Sequence, residues 1–437
     1  MKVLLISLGC DKNLVDSEVM LGLLHKAGHE ITNDEQEAEV IVINTCSFIK
    51  DAKEESIDTI IEMGQLKQTG RLKKLIVAGC LSQRYQDEIL KELPEIDTII
   101  GSTNYDKIVE AIGTSEKAIV DDIHYMPTGI FDRIVTTGSY MAYLKIAEGC
   151  NKMCTYCIIP YIRGRYRSIP MEDLLRSAER LAKDGVKELV LVAQETTLYG
   201  FDLYGKKMLP ELLRKLCQID GLEWIRLLYC YPEEITDELI DVMAVEEKIC
   251  HYLDIPIQHS EDAILKKMGR RTDRKSLIEL IAKLREKIPD IALRTSLIAG
   301  FPGETQEQHD ALMDFIDECE FDRLGVFTYS PEEGTPAASF PNQVDAEVAE
   351  GWREDIMLLQ QEISYERNQK MTGSVIRVLI EGYLPEDDVY VGRSYKDAPS
   401  VDGMVFVHAD RELMSGTFVD VKITEGNEYD LTGEIVE

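Results

Sequence analysis

Three short apolar runs near the start of the chain constrain its fold most strongly. The runs VLLISLG, VIVINT and LIVAG are rich in Val, Ile and Leu, which is typical of parallel strands that are buried on both faces. Between them, amphipathic patterns predict helices over 14–27 and 51–66, and a third helix after Ser82. We therefore predict that residues 1–117 form a doubly wound parallel α/β sheet with helices on both faces.

A cysteine directly follows each of these three runs, namely Cys10, Cys46 and Cys80. In open α/β sheets the binding crevice lies beyond the carboxyl ends of the strands, so the three thiols should gather at one edge. The alternative is three core cysteines, since cysteine is often buried. Core cysteines have no reason to recur at the same place in three successive βα units, so we predict a metal site here.

A second cysteine set lies in the stretch EGCNKMCTYCIIPYIRG, residues 148–164, where Cys150, Cys154 and Cys157 have the spacing C-x3-C-x2-C. Clustered thiolates select zinc, copper or iron–sulfur clusters. Structural zinc usually takes four protein ligands, whereas this loop offers three cysteines and no nearby histidine. Three thiolates on a four-iron cluster leave one iron open to a substrate. A chance grouping or a zinc knuckle is the alternative.

Residues 138–370 continue the βα alternation and predict a partial (βα)6 barrel. The second cysteine set follows its first strand and should lie at the end of the barrel where active sites form. Polar residues at 194–196, 258–259 and 295–296 follow or end other strands, although turn or cap chemistry explains each of them equally well. Ile298 and the 300–303 turn should shape a cofactor pocket by close backbone approach. The predicted strands are 142–147, 189–194, 224–229, 252–257, 293–299 and 324–329.

The remaining segments are a connection and a small terminal unit. Residues 118–137 contain Gly and Pro and predict a linker. A long helix is predicted over 346–370, and short alternating strands from 371 to 437 predict a small antiparallel β-barrel. This terminal unit has 14 Asp and Glu against five Lys and Arg, a net charge of −9. It is therefore not built to bind phosphates.

Charge and cysteine usage of the whole chain narrow the function classes. A net charge of −32 disfavours direct nucleic-acid binding and favours basic partners. The start, MKVLLISLGC, faintly suggests a lipoprotein signal, but the apolar run is too short and charge follows at once. We therefore expect a cytoplasmic protein without membrane segments, in which ten cysteines do not form a disulfide scaffold. Four of them, Cys217, Cys230, Cys250 and Cys319, are interpreted as small core residues.

Together these features resemble the methylthiotransferase family of radical S-adenosylmethionine (SAM) enzymes, in which an aromatic residue such as Tyr156 precedes the third cysteine. The motifs LGCDKNLVDSE, VAQETTLYGFD and YSPEEGTPAA resemble the RimO-type branch, which methylthiolates an aspartate of small-subunit ribosomal protein twelve. The tRNA-modifying relatives usually carry a GCQMN-like start, and an arginine-proline pair where this chain has Glu332-Glu333. Asp11 departs from the branch, which commonly has proline there.

The resemblance implies two 4Fe-4S clusters and SAM as cofactors. The cluster on Cys150, Cys154 and Cys157 would bind SAM, and one electron would cleave it to a 5′-deoxyadenosyl radical, which is needed because the β-carbon of aspartate has no acidic proton. The cluster on Cys10, Cys46 and Cys80 would hold the sulfur species, and a second SAM would supply the methyl group. A reductase or flavodoxin-type donor would supply electrons. The predicted SAM pocket contains Tyr156, Gln194, Ser296 and Ile298.

The resemblance also implies a terminal barrel of the TRAM type and a basic ribosomal protein as substrate, which an acidic barrel can steer by opposite charge. The candidate contact is the acidic run Glu386, Asp387 and Asp388, for which a solvated turn is the alternative. Three competing functions remain open: a tRNA adenosine methylthiotransferase, a non-enzymatic iron–sulfur protein, and a terminal barrel that is only a structural cap.

Overall fold

The computed structural model of the protein describes residues 1–127 and 131–436. The chain forms three packed units that follow one another in sequence. Within the described residues, no helix is both long and apolar enough to span a membrane.

The N-terminal unit is a six-stranded parallel sheet with the strand order β2-β1-β3-β4-β5-β6. Ile41, Ile43 and Val77 pack against one helix layer, while Val42 and Ile76 pack against the other. This alternation of buried side chains confirms the predicted doubly wound sheet. Its strands are β1 (Lys2–Ser7), β2 (Glu30–Ile31), β3 (Val40–Thr45), β4 (Lys74–Gly79), β5 (Thr98–Ile100) and β6 (Ala118–Ile119), and its helices are α1 (Asp11–Lys26), α2 (Lys50–Thr69), α3 (Cys80–Glu92) and α4 (Ile108–Gly113).

The central unit is an open sheet of six parallel strands in the order β14-β13-β12-β11-β10-β7, which confirms the partial (βα)6 barrel. Asp273 and Thr305 cap their helices reciprocally with the residues at the third helical position. Its strands are β7 (Met141–Lys145), β10 (Glu188–Val192), β11 (Trp224–Leu227), β12 (Ile249–Asp254), β13 (Ala292–Ala299) and β14 (Arg323–Thr328), with a small antiparallel pair β8 (Ala147–Glu148) and β9 (Arg167–Ser168). Its helices are α5 (Ile159–Arg163), α6 (Met171–Lys183), α7 (Phe201–Tyr204), α8 (Leu209–Cys217), α9 (Asp237–Val245), α10 (Asp262–Met268), α11 (Arg274–Lys287), α12 (Gln306–Cys319) and α13 (Ala346–Gln369).

The C-terminal unit is a closed five-stranded barrel in the order β15-β16-β17-β19-β18. Four of its neighbouring pairs are antiparallel, as predicted, whereas β17 and β19 run parallel and close the barrel. Closure leaves no strand edge unpaired. The strands are β15 (Val375–Leu384), β16 (Val389–Ser394), β17 (Val405–His408), β18 (Phe418–Gly426) and β19 (Leu431–Ile435).

The segment predicted as a linker, residues 118–137, is partly built into its neighbours, and residues 128–130 of it lie outside the described residues. Its first two residues form β6, which pairs with β5 at the sheet edge. Further on, the Thr136 amide donates to the Glu18 carboxylate of α1 at 2.7 Å. Periodicity did not predict these contacts because a two-residue strand and an extended segment on a helix carry no repeat.

Candidate active site

The N-terminal cysteines, Cys10, Cys46 and Cys80, follow the carboxyl ends of β1, β3 and β4, which are neighbours in the sheet. Gly9 has φ +85°, and a Cβ on it would lie 2.7 Å from Cβ of Cys46, so only glycine lets the two loops approach this closely. Burial raises the pKa of Cys80 to about 12, with smaller contributions from Cys46 and Cys10. The structure therefore places these three cysteines at one edge of the N-terminal sheet, and their role as metal ligands stays a prediction.

The barrel cysteines, Cys150, Cys154 and Cys157, lie in the loop between β8 and α5. The Cys150 amide donates to the Gly164 carbonyl at 3.1 Å, and the Cys157 amide to the Cys154 carbonyl at 3.0 Å. These bonds fold the loop back on itself. Burial raises the pKa of Cys150 to about 11, and the neighbouring Cys154 contributes to the rise. Soft thiols gathered in a tight loop match the donor set of an iron–sulfur cluster.

The two sets each offer three thiols, which is one ligand fewer than a four-iron cluster has irons. Within residues 1–127 and 131–436, no three Cys, His, Asp or Glu side chains are grouped closely enough to hold one metal ion.

Next to the barrel cysteines lie two buried groups of opposite charge with unused hydrogen-bonding capacity. The Arg270 guanidinium stacks 4.3 Å from the ring centroid of Tyr231, and its Nε and Nη1 have no hydrogen-bond partner within the described chain. Burial raises the pKa of Glu195 to about 7, and its Oε2 also lacks a hydrogen bond among the described residues, with the Lys152 ammonium 3.7 Å away. A free acceptor and a free donor suit a ligand that carries both an ammonium and a carboxylate group.

The four residues predicted to form the SAM pocket meet only in part. Tyr156 and Ile298 pack against the same apolar cluster around Phe301. Gln194 instead donates to the Glu148 carboxylate at 3.3 Å, and its Oε1 has no partner within the described chain. Ser296 Oγ accepts from Arg294 at 3.3 Å. The roles of these four residues in a SAM pocket stay predictions.

A buried ionic network joins the two cysteine sets. Lys145 at the end of β7 pairs with Asp16 of α1 and, at 2.9 Å, with Glu148. Arg163 of α5 pairs with the same two carboxylates, at 3.0 Å each. Burial alone would raise the pKa of Glu148, but Arg163 and Lys145 hold it at about 2. Two cations and two carboxylates thus cancel in the interior between the N-terminal sheet and the barrel.

Two further contacts dock the N-terminal unit on the barrel. Glu332, after β14, accepts from Lys53 of α2 at 2.8 Å and from Arg84 of α3 at 3.0 Å. Tyr229, after β11, donates to Asp11 at 3.0 Å, and its ring lies 3.2 Å from the Lys12 ammonium. All the barrel residues in these contacts lie at or beyond the carboxyl ends of strands, so the N-terminal cysteines and the barrel cysteines share one region, the mouth of the barrel.

Sequence reasoning missed the polar residues that connect the two sets, above all Arg163, Lys145 and Asp16. A signal existed, because Lys145 ends a run of buried strand residues and Arg163 follows the apolar IIPYI segment, and a lysine or arginine is rarely buried unless it is paired. The partners of these residues could not be predicted, since Asp16 lies in a different unit.

The acidic run Glu386, Asp387 and Asp388 occupies the exposed turn between β15 and β16. Tyr383 donates to Asp388 at 2.6 Å, while the other two carboxylates point to no partner among the described residues. The run is accessible, and its role as a substrate contact stays a prediction.

Three family models match the chain, one for each unit. The uncharacterized protein family UPF0004 matches residues 2–101, the radical SAM superfamily matches residues 144–316, and the TRAM domain matches residues 372–436. The radical SAM methyltransferase TsrM from Kitasatospora setae shares the fold, with a TM-score of 0.55 and 16% identity over 77% of this chain and 76% of that chain. The matched superfamily and the fold therefore define a radical SAM protein.

Curated relatives match over nearly the whole length. The ribosomal protein uS12 methylthiotransferase RimO of Lachnoclostridium phytofermentans is 60% identical over 437 residues, 99% of each chain. The protein of the same name from Clostridioides difficile is 50% identical and covers 100% of this chain and 99% of its own. The chain belongs to the RimO family of ribosomal protein uS12 methylthiotransferases, which confirms the family predicted from its motifs. Membership implies SAM and 4Fe-4S clusters as cofactors.

Proposed function

We propose that this protein is a radical SAM enzyme that inserts a methylthio group at the β-carbon of an aspartate in ribosomal protein uS12. The observation that carries the proposal is the meeting of two three-cysteine sets at one barrel mouth, in a chain 60% identical to a uS12 methylthiotransferase. An electron carrier normally completes four ligands per cluster, so two incomplete sets favour chemistry over electron storage.

The proposed work is divided among three units: residues 1–117, 138–370 and 371–437. Cys150, Cys154 and Cys157 would ligate the cluster that binds SAM, and Cys10, Cys46 and Cys80 the cluster that holds the sulfur to be transferred. When bound, these cofactors supply a 5′-deoxyadenosyl radical able to remove hydrogen from an unactivated carbon, together with a methyl group and sulfur.

The chain's own residues would bind and orient. The free donors of Arg270 match the carboxylate of SAM, and the free oxygen of Glu195 matches its ammonium group. Tyr156 and Ile298 provide apolar surface beside them. The buried ionic network of Arg163, Lys145, Asp16 and Glu148 would hold the two cysteine sets in a fixed arrangement.

The proposed substrate is basic, because ribosomal proteins bind RNA, and this chain carries a net charge of −32. Opposite charge accelerates their encounter. The exposed run Glu386, Asp387 and Asp388 is the proposed contact, and the same acidity disfavours tRNA. A reductase or flavodoxin-type protein would supply electrons. The work takes place in the cytoplasm, where ribosomal proteins are found.

The proposal is tested by anaerobic incubation of the reconstituted protein with SAM, a low-potential reductant, a sulfide source and either uS12 or tRNA. Mass spectrometry should show a methylthio group on one aspartate of uS12 and none on the tRNA. Modification of the tRNA with unmodified uS12 would overturn the choice of substrate, and cleavage of SAM without modification of either would overturn the transferase assignment.

A further inference from the structure

Arg163 follows the barrel cysteines in the sequence, but its side chain lies near the N-terminal cysteines in space. It is the last residue of α5, six residues after Cys157. Its side chain is only 2% exposed and reaches across the interface into the N-terminal unit.

Three polar contacts fix the Arg163 guanidinium. Nη1 donates to Asp16 and to Glu148 at 3.0 Å each, and Nη2 donates to Asn13 Oδ1. The same Asn13 oxygen lies 3.9 Å from Cys80 Sγ. Because a guanidinium is planar and its N–H groups point in fixed directions, these partners fix both the orientation of its plane and the position of its charge.

Apolar packing reinforces this placement. Cys80 packs against Ile158, the N-cap residue of α5, and against Ile162 within that helix, which also carries Arg163. The Ser102 hydroxyl donates to the Ile162 carbonyl at 2.8 Å. The short helix α5 is therefore seated between the N-terminal sheet and the barrel, and it carries a charge into the neighbouring site.

The guanidinium acts electrostatically on the N-terminal cysteines. One atom, Asn13 Oδ1, lies between the guanidinium and Cys80 Sγ, because it accepts from Arg163 Nη2 and is 3.9 Å from that sulfur. A fixed positive charge beside sulfur stabilises added negative charge, and in a poorly solvated interior this effect is larger than in water. Hydrogen bonds and charge near the sulfurs are among the factors that set the potential of an iron–sulfur cluster.

We propose that Arg163 is a positioning residue which the barrel supplies to the N-terminal cluster and which stabilises that cluster's more negative state. This inference rests on the assignment of a four-iron cluster to the N-terminal cysteines in the proposed function. Reduction adds one electron from an external low-potential donor and makes the cluster more negative by one charge, so Arg163 raises its midpoint potential. The N-terminal site is complete only when the barrel is docked on it.

The test uses the full chain with Cys150, Cys154 and Cys157 replaced by alanine, so that only the N-terminal cluster is present. Its midpoint potential is measured by a dithionite titration followed by electron paramagnetic resonance, with iron content determined in parallel. In this background, Arg163→Gln should shift the midpoint to a more negative value at unchanged iron content. Arg163→Lys keeps the charge but not the fork, so it should restore part of the shift.

Arg167→Gln is the matched control. Arg167 is half-buried at the start of β9, four residues after Arg163, and donates to the carbonyls of Arg163 and Arg165 rather than to the N-terminal unit. The Arg167→Gln variant should leave the midpoint potential of the N-terminal cluster unchanged. Equal potentials for the Arg163→Gln and Arg167→Gln variants would overturn the proposal. If Arg163→Gln fails to fold, Arg163→Met, which also removes the charge, takes its place, and a potential equal to that of Arg167→Gln overturns the proposal.

The measurement needs a loaded N-terminal cluster and no turnover, so its outcome is independent of the proposed substrate. If uS12 is never modified, the potential of the variants still decides the role of Arg163. Conversely, an unchanged potential with normal methylthiolation would remove only this inference.

Discussion

The two ends of the central barrel are closed by different units and in different ways. At the mouth, the N-terminal unit contributes three cysteines and docks through the networks around Arg163 and Glu332. At the base, near the starts of the strands, the C-terminal barrel inserts its 394–402 segment, and Arg226, Arg294 and Arg323 bind it. At the mouth, the docking contacts therefore lie beside buried polar atoms that have no hydrogen-bond partner among the described residues. At the base, nearly all the buried polar atoms of the described residues have such a partner.

Glu188 shows what saturation at the base means. It is fully buried and accepts from Arg226 at 2.8 Å and from Arg393 of β16 at 2.5 Å. Burial alone would raise its pKa, yet the two arginines hold it at about 2. By contrast, Arg270 and Glu195 at the mouth keep atoms without a hydrogen-bond partner in the described chain. Buried donors and acceptors without a partner indicate a place where a ligand can bind, whereas fully hydrogen-bonded buried groups indicate a structural contact between units.

The largest effect should come from the barrel cysteines at the mouth. Replacing Cys150, Cys154 and Cys157 by alanine should remove one four-iron cluster and reduce both SAM cleavage and methylthiolation to background, because the cluster that binds SAM is lost. Iron analysis and chromatography of 5′-deoxyadenosine measure this. A variant that keeps eight irons would contradict the ligand assignment.

Next in size is the loss of the N-terminal cysteines, which should separate the two halves of the reaction. Replacing Cys10, Cys46 and Cys80 by alanine should abolish methylthiolation while 5′-deoxyadenosine still forms, since the barrel cluster is intact. The control is the iron content, which should fall by half. If the variant remains folded with its barrel cluster and does not cleave SAM, the proposed division of labour is wrong.

At the base, Glu188→Gln should destabilise the fold by about 3–5 kcal/mol, because it leaves Arg226 buried without a counter-charge, while Arg393 keeps Glu381. Chemical denaturation measures this, and SAM cleavage per folded molecule should not change. The pair of Glu223 and Arg377 crosses the same interface but is about half exposed, so the control Glu223→Gln should cost less than about 1 kcal/mol.

The same carboxylate predicts a pH dependence for the base. The pKa of Glu188 falls from 4.5 to about 2 on folding. Its contribution to stability is therefore fully present above pH 4.5 and is lost as the pH falls toward 2. The wild type should lose stability over this range more steeply than Glu188→Gln. Parallel stability curves for the two proteins would contradict the assignment.

A smaller effect is expected at the mouth from Glu332→Gln. Arg84 keeps the Ser47 and Glu333 carbonyls as acceptors, so the cost should be about 1–3 kcal/mol. Looser docking should slow methylthiolation several-fold more than SAM cleavage. Glu333→Gln is the control, because the side chain of Glu333 is exposed and only its carbonyl is used. Equal slowing of both steps would show that the contact supports the fold alone.

The smallest effect should come from the acidic run on the unit that closes the base. Reversing Glu386, Asp387 and Asp388 to lysine should slow association with uS12 a few-fold at low salt, and the penalty should shrink as salt screens the charges. Stopped-flow binding measures the rate, and SAM cleavage should stay unchanged.

The control for the change in net charge is a second triple variant, in which three exposed acids elsewhere on the same barrel are replaced by lysine, namely Asp420, Glu425 and Glu428. If both triple variants slow association equally, net charge and not the run is responsible. An unaltered rate in the first variant would assign the C-terminal unit to support of the base only.

The sequence by itself determined the three units and both cysteine sets. The βα periodicity is a local property, because each buried strand must be apolar along its length and each helix apolar along one face. The position of Cys10, Cys46 and Cys80 at strand ends then follows from topology, since parallel strands place their carboxyl ends at one edge. Element bounds predicted from the sequence differ from the observed ones by a few residues at most sites, as for the helix predicted at 14–27 and observed at Asp11–Lys26.

Only the tertiary structure decided which charges meet. Arg163 and Asp16 lie in different units, and no local pattern links them, because an ion pair depends on distance in space rather than along the chain. The same holds for Glu332 with Arg84, and for the parallel pairing of β17 with β19. The sequence therefore identified the groups that would hold the cofactors, while the packing of the units decided which side chains surround, orient and charge them.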